Sequence, residues 1–433
     1  MHQEQFLPWN KPLPSEQPVR FATIGMGIMG HNDTAAAVRV PGAKLVGVCD
    51  LYEGRLTHAK ELYGNQLFTT RKFEEILDRN DVDAVLIATS DNWHDLISRA
   101  ALEKGKAVYC EKPMVQQIAY GQAVIDAQKK AGKPFQVGSQ RVSSIVYQKA
   151  KSLYDQGKIG KVNMVQATYD RHSALGAWDY SIPPDASQST IDFDVFLGRA
   201  PKVPFDPKRF FRWRNYKEYG TGIPGDLFVH LISGLHFITG ATGPTRIMAS
   251  GGLRYWKDGR NVPDVMVAIL DYAETEHHPG FQVTLQVNFV DGGLGEEGSE
   301  THVIGSEGAL IIGDNELTLA QNPLPAAPGY GGWDSYGTFS EAMQEAFRKE
   351  YLEKYGVPRA QMIPPQNLVY RAPRGYDEHQ DHMQRFFDAI RGKATIVEDA
   401  VFGMRAAAPA LACNMSYFEQ RPIRWDPELM KLV

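Results

Sequence analysis

The chain has 433 residues, 43% of them hydrophobic and 22% charged, and a formal net charge of −5. That length exceeds what one hydrophobic core supports, so at least two domains are expected. The acidic balance excludes a general nucleic-acid binder; no apolar run approaches the roughly 20 residues of a membrane span.

Residues 1–18 carry Pro8, Pro12, Pro14 and Pro18, with Phe6 and Trp9 between polar residues. Two readings stand for this segment: a disordered leader, or an extended arm that lies on a neighbouring subunit with Phe6 and Trp9 as anchors. It has no basic start followed by an apolar stretch, so it does not read as a signal peptide. The expected compartment is the cytoplasm, or the periplasm if an export signal is removed ahead of Met1. Cys49, Cys110 and Cys413 are scattered and odd in number, which excludes a disulfide framework and suggests buried thiols.

From residue 19 the pattern becomes regular. Segments 19–24, 44–49, 84–89, 107–110 and 135–138 are short apolar runs that read as strands. Between them, 29–40, 91–104 and 116–131 read as helices. Strands that are apolar almost throughout suit a parallel sheet covered on both faces, and the alternation predicts a doubly wound α/β domain. Gly25-Met26-Gly27-Ile28-Met29-Gly30 follows the first strand and opens the first helix. In that place GxGxxG is the dinucleotide-binding fingerprint of a Rossmann domain. Gly25 permits the tight turn, Gly27 lets backbone approach a pyrophosphate, and Gly30 lets the helix pack closely on the sheet. The free N–H groups of that helix would face the phosphates. Asp50 ends the next strand, about 20 residues on, where a carboxylate accepts ribose hydroxyls and repels a 2′-phosphate. NAD is therefore expected, with NADP possible because Arg55 lies close by in sequence.

Further along, several segments match one known family. Ala88-Thr89-Ser90-Asp91-Asn92-Trp93-His94 resembles the ATP-N-x-x-H turn of the glucose–fructose oxidoreductase/inositol dehydrogenase (Gfo/Idh/MocA) family. Glu111-Lys112-Pro113 resembles its EKP motif, and Gly225-Asp226-Leu227-Phe228-Val229-His230 its D-x-x-x-H helix. Residues 191–201 resemble its LDWDLWLGPAP segment, and residues 382–421 its C-terminal helical pattern. The resemblance runs from Val19 to the end. It implies a Rossmann domain over 19–141 and a second α/β domain over 142–433 with a large, mainly antiparallel open sheet. It also implies assembly as a homodimer or homotetramer. Segments 162–169, 245–250, 265–271, 281–289, 301–304 and 309–312 have matching strand character, and 144–156 reads as the joining helix.

The resemblance further implies hydride transfer between a sugar or polyol carbon and the nicotinamide, with Lys112, Asp226 and His230 as the catalytic group. Histidine titrates near neutrality and can take and return the hydroxyl proton, so His230 is the expected acid/base. Lys112 would polarise the reacting oxygen. Asp226 would orient His230 or bind a substrate hydroxyl. On local grounds Asp226 could equally be a helix N-cap, and His230 a core histidine. The chain departs from the family at Phe228, where glycine is frequent, and at Ser233, where aspartate is frequent. Thr89, Ser90, His94, Glu111 and Lys112 join Gly25, Gly27, Ile28, Met29, Gly30, Asp50 and Arg55 as expected cofactor neighbours. Arg141, at the end of a strand in a position similar to the family's substrate-side loop, is a candidate substrate contact, as are Arg171, His172, Arg212 and Trp213, from loops mixing aromatic and charged residues. No metal is expected: His277 and His278 sit in a polar turn, and His379 and His382 lack an evident third ligand.

Three functions compete on this sequence. The first is a dehydrogenase for a sugar, glycoside or cyclitol. The second is a redox-neutral glycosidase that keeps NAD bound through oxidation, elimination, hydration and re-reduction. The third is a non-enzymatic NAD-binding regulator, which would need neither Lys112 nor His230.

Overall fold

The computed structural model describes residues 3–6 (backbone only), 18–294, 298–325, 327–356 and 365–433. Trp9 lies outside the described residues. The strand β1 (Gln3–Phe6) joins the larger of two sheets. The next six strands form an all-parallel sheet. They are β2 (Val19–Ile24), β3 (Ala43–Cys49), β4 (Phe68–Thr70), β5 (Ala84–Ile87), β6 (Ala107–Cys110) and β7 (Phe135–Val137), in the order β4-β3-β2-β5-β6-β7. Every residue of β5 and β6 is buried, as expected for strands covered on both faces. The chain order reverses between β2 and β5. A crevice opens there at the carboxyl ends of the strands, the place where such sheets bind ligands.

The larger sheet has 11 strands. After β1 these are β8 (Val162–Thr168), β9 (Arg246–Gly252), β10 (Val265–Tyr272), β11 (Phe281–Asn288), β12 (Glu300–Gly305), β13 (Gly308–Ile312), β14 (Glu316–Gln321), β15 (Leu368–Arg371), β16 (Ile423–Asp426) and β17 (Lys431–Leu432). The order is β1-β15-β14-β13-β12-β8-β11-β10-β9-β16-β17, with parallel pairing only at β1/β15 and β8/β11. This is the mainly antiparallel open sheet expected of the second domain. Alternation along β10 and β11 buries one face, including Met266, Ala268, Leu270, Val283 and Leu285. The opposite face leaves Met248, Val267 and Ile269 exposed. β1 pairs with the chain's own β15, so this part of the arm extends its own sheet.

The last helices tie the two sheets together. On the Glu378–Ile390 helix, Phe386 and Phe387 pack against Phe21 of β2 and Tyr109 of β6, with ring centroids 5.4–5.8 Å apart. This contact brings residues from the end of the chain to the first domain's crevice. The Ala400–Glu419 helix is buried along most of its length despite Pro409 inside it. Among the described residues no helix is long and apolar enough to cross a membrane.

Candidate active site

The glycine loop has the geometry its three glycines require. Gly25 sits at φ +92°, and a Cβ there would lie 2.6 Å from the Ala88 carbonyl oxygen. A Cβ at Gly30 would lie 1.9 Å from the Gly25 carbonyl oxygen, so the first turn of the Ile28–Val38 helix approaches the loop too closely for any side chain. At Gly27 the nearest atoms are those of the Arg55 side chain, 3.7 Å away, which leaves its backbone open toward the crevice. Asp50 is buried. Its carboxylate accepts the backbone N–H of Met26 (2.7 Å) and Tyr52 (2.9 Å), and Arg55 lies 3.4 Å away. The carboxylate therefore fixes the loop while still bordering a cleft of about 650 Å³. Arg55, Arg71 and Lys72 line the same end of the cleft.

A second cavity, of about 290 Å³, adjoins the first. Ile28, Met29, Glu111, Lys112, Tyr180 and Arg214 line both. Lys112 stands at this junction, just past β6. Its ammonium donates to the carboxylate (2.8 Å) and the backbone carbonyl (2.7 Å) of Asp226. Arg214 Nε donates to the same Asp226 oxygen at 3.0 Å, and Trp178 Nε1 donates to the other at 3.1 Å. Burial alone would raise the Asp226 pKa, but the charges of Lys112, Arg214 and Arg171 hold it far below the usual carboxylate range. Trp178 is fully buried at φ +63°, a backbone region that costs a non-glycine residue about 1 kcal/mol or more.

Asp226 lies in a wide π-helical turn, Pro224–Phe228, which leads into the Val229–Thr239 helix. Such turns recur at functional sites because they redirect side chains. Asp226 and His230 both line the second cavity. Among the described residues the His230 ring nitrogens have no hydrogen-bond partner. Burial, followed by the charges of Lys112 and Arg141, pushes its pKa well below the ordinary histidine value, so the ring is neutral at neutral pH. A neutral imidazole with free nitrogens, close to a buried ammonium, can accept a hydroxyl proton as the oxygen gains charge.

Residues 19–139 match the Gfo/Idh/MocA oxidoreductase family with its NAD-binding Rossmann fold, and residues 199–311 match the Gfo/Idh/MocA C-terminal domain. The chain belongs to the Gfo/Idh/MocA family. It is 32% identical to an inositol 2-dehydrogenase of Salmonella paratyphi B, over 40% of this chain and 52% of that protein. It is 36% identical to a scyllo-inositol 2-dehydrogenase (NAD(+)) of Bacillus subtilis, over 34% of this chain and 43% of that protein. The chain thus spans about half the length of the curated relatives it matches. In fold it is similar to a levoglucosan dehydrogenase solved with NADH, with a TM-score of 0.65 and 19% identity over 94% of this chain and 99% of that one. A putative NADPH-dependent oxidoreductase from Desulfitobacterium hafniense gives a TM-score of 0.66 at 18% identity, over 95% of this chain and 98% of that one.

In this Gfo/Idh/MocA protein the expected site residues divide into several groups. Lys112, Asp226, His230, Arg141 and Arg171 come together around the second cavity. Gly25, Gly27, Ile28, Met29, Asp50, Arg55, Thr89, Ser90, His94 and Glu111 line the cleft, while Gly30 serves packing. Five expectations need correction. Asp226 does not orient His230, because its oxygens are taken by Lys112, Arg214 and Trp178, and neither is it a helix N-cap. Arg212 is turned away from both cavities and binds Asp179 and the Tyr180 carbonyl. His172 is exposed and lies beside Asp291, outside both linings. Trp213 faces the cleft rather than the second cavity. His94 borders the cleft with Nδ1 2.8 Å from the Pro113 carbonyl and Nε2 3.2 Å from that of Thr89, so it mainly braces two loops.

Sequence reasoning named Arg214 only as a member of the 212–216 loop and singled out Arg212 and Trp213 instead, although it is Arg214 that reaches Asp226. It also missed the partners of His379. The fold sets its Nε2 3.2 Å from Asp33 and 3.0 Å from the Gln140 amide, with Glu111 close enough that all three ionisable groups lie within 4.8 Å. Burial would lower the His379 pKa, but Asp33 raises it to about 9. Burial, reinforced by Asp33, pushes Glu111 up to about 8. Glu111 and His379 line the second cavity together with Lys112.

Proposed function

We propose that the chain is an NAD-dependent oxidoreductase acting on a CH–OH group of a sugar, glycoside or cyclitol. The observation that carries this reading is the junction of the two cavities, six lining residues of which are shared, with Lys112 at the boundary and His230 beyond it. The cleft fits a dinucleotide: an uncapped helix N-terminus, an open Gly27 backbone and a buried Asp50 stand where pyrophosphate and ribose are held in such folds. Bound there, NAD would supply the hydride acceptor. His230 takes the hydroxyl proton as the carbon is oxidised. Lys112, held by Asp226, stabilises the negative charge that gathers on the reacting oxygen. Arg214 and Trp178 keep Asp226 in position, so that the ammonium keeps one orientation. Asp50 supports NAD over NADP, whereas Arg55, Arg71 and Lys72 give a 2′-phosphate some cationic surroundings.

One feature also favours the redox-neutral reading, in which NAD stays bound through turnover. Residues 182–219 cross the carboxyl ends of the Rossmann strands and are pinned there. Glu53 N–H bonds to the Thr190 carbonyl (3.0 Å), Asp192 N–H to that of Leu51 (2.9 Å), and Arg199 pairs with Asp95 (3.0 Å). Phe193, Phe196, Phe210 and Phe211 of this strap pack in one cluster with Tyr52 of the first domain. Denaturing the purified protein and quantifying released NAD(H) and NADP(H) by mass spectrometry, followed by screens for NADH formation and for glycoside cleavage, tests both readings. Finding neither turnover nor bound or binding dinucleotide would overturn them.

A further inference from the structure

The second cavity is lined by Lys112, Arg141, Arg171 and Arg214. Lys112 and Arg214 share a single carboxylate oxygen, on Asp226. Arg141 is 4% exposed. Its Nη2 donates to Ser299 (2.5 Å) and Asp314 (3.0 Å), while its buried Nη1 has no partner. Arg171 has no carboxylate partner among the described residues. Its Nη1 donates to the Gly176 carbonyl at 2.8 Å, and its guanidinium lies over the Tyr169 ring at 5.3 Å. The backbone at Arg171 is tied to the strand beside it, its N–H bonding the Asn288 carbonyl at 2.9 Å, so the side chain is delivered to the cavity by a rigid element. Asp226 thus answers both Lys112 and Arg214 and Asp314 answers Arg141, which leaves Arg171 as the cation of this lining without a carboxylate of its own among the described residues. A guanidinium beside a cavity with no carboxylate bound to it can gain charge-assisted hydrogen bonds from an anionic ligand. A guanidinium with free N–H groups is the geometry that receives a carboxylate.

We propose that the substrate carries a carboxylate held by Arg171 and the free Nη1 of Arg141, so that the reacting molecule is a uronate or a related sugar acid. The proposal rests on the reading of this cavity as the substrate site of an oxidoreductase. The carboxylate binds at the arginines, and the oxidised hydroxyl lies toward Lys112 and His230. Tyr169 and Tyr180, which also line the cavity, offer ring faces to the C–H surface of the sugar.

The experiment uses the full chain with saturating NAD and matched pairs: D-glucuronate with D-glucose, D-galacturonate with D-galactose, and the methyl glycosides of each, with myo-inositol alongside. Initial rates of NADH formation and calorimetric binding are both read. The acid of at least one pair is expected to exceed its neutral partner about 30-fold in kcat/KM or affinity, the scale of a charge-assisted hydrogen-bond pair. Arg171→Gln should cut that ratio by about tenfold, and Arg171→Lys should restore part of it. Equal or better handling of the neutral sugars, a ratio that survives Arg171→Gln, or no acid bound at millimolar concentration would overturn the proposal. If neutral sugars or inositol reduce NAD while the acids do not, the oxidoreductase reading stands and the carboxylate proposal falls. If the acids bind and nothing reduces NAD, the reverse holds.

Discussion

Replacing Lys112 with methionine removes one buried charge while keeping most of the side-chain volume. In the wild-type protein the ammonium makes bonds of 2.7 and 2.8 Å to Asp226. Asp226 keeps Arg214 and Trp178 in the variant, so the carboxylate stays ionised and the local fold should persist. What is lost is the positive charge facing the reacting oxygen. Removing one such donor elsewhere costs about 2.7–4 kcal/mol of transition-state stabilisation, or about 10²–10³ in kcat. The same charge is one cause of the lowered His230 pKa. Without it the imidazolium is less disfavoured and the pKa moves up toward 6.5. Alcohol oxidation needs the neutral ring, so activity falls as the pH drops through that pKa. The acid limb of the kcat/KM profile should therefore lie well below pH 6.5 in the wild type and shift upward in Lys112→Met. Steady-state rates from pH 4.5 to 8.5, with NAD binding measured separately, check both effects. A fall of less than about threefold, or an acid limb that stays put or moves down, would refute the assignment of Lys112 and its coupling to His230.

Asp226→Asn leaves Lys112 and Arg214 without their shared anion. A loss of about 3–5 kcal/mol is expected, seen as a fall of about 5–10 °C in the unfolding midpoint; a change within about 1 °C would show that the cluster bears little energy. Gly30→Ala puts a methyl group 1.9 Å from the Gly25 carbonyl, so dinucleotide binding should be lost in titration, while circular dichroism keeps its helical signal. Asp50→Ala removes the acceptor for the Met26 and Tyr52 amides. It should weaken NAD binding by about tenfold and narrow the preference over NADP, since Arg55, Arg71 and Lys72 remain, which fluorescence titration of both dinucleotides would show. The exposed Met248, Val267 and Ile269 on the open sheet face are expected to be covered by a second copy, so sedimentation velocity should show a dimer or tetramer that Val267→Glu weakens.

The sequence by itself determined what short windows encode. Apolar runs of strand length and the helices between them specify the parallel sheet, because hydrogen bonding and side-chain period act over a few residues. The glycine loop was equally legible: at Gly25 and Gly30 a side chain is excluded by atoms of the same turn and the adjoining strand end. The convergence of chemistry was decided by the tertiary structure. Asp226 draws partners from residues 112, 178 and 214, and spacing within its own helix suggested His230 instead. Of two arginines two residues apart, the loop's path sends Arg214 to the site and Arg212 to Asp179. Asp33 and His379 meet across 346 positions because Phe386 and Phe387 bury themselves on the first sheet. Hydrophobic burial is non-directional, so it specifies that those rings must be covered but not which polar residues their helix carries along; that follows only from the packed geometry.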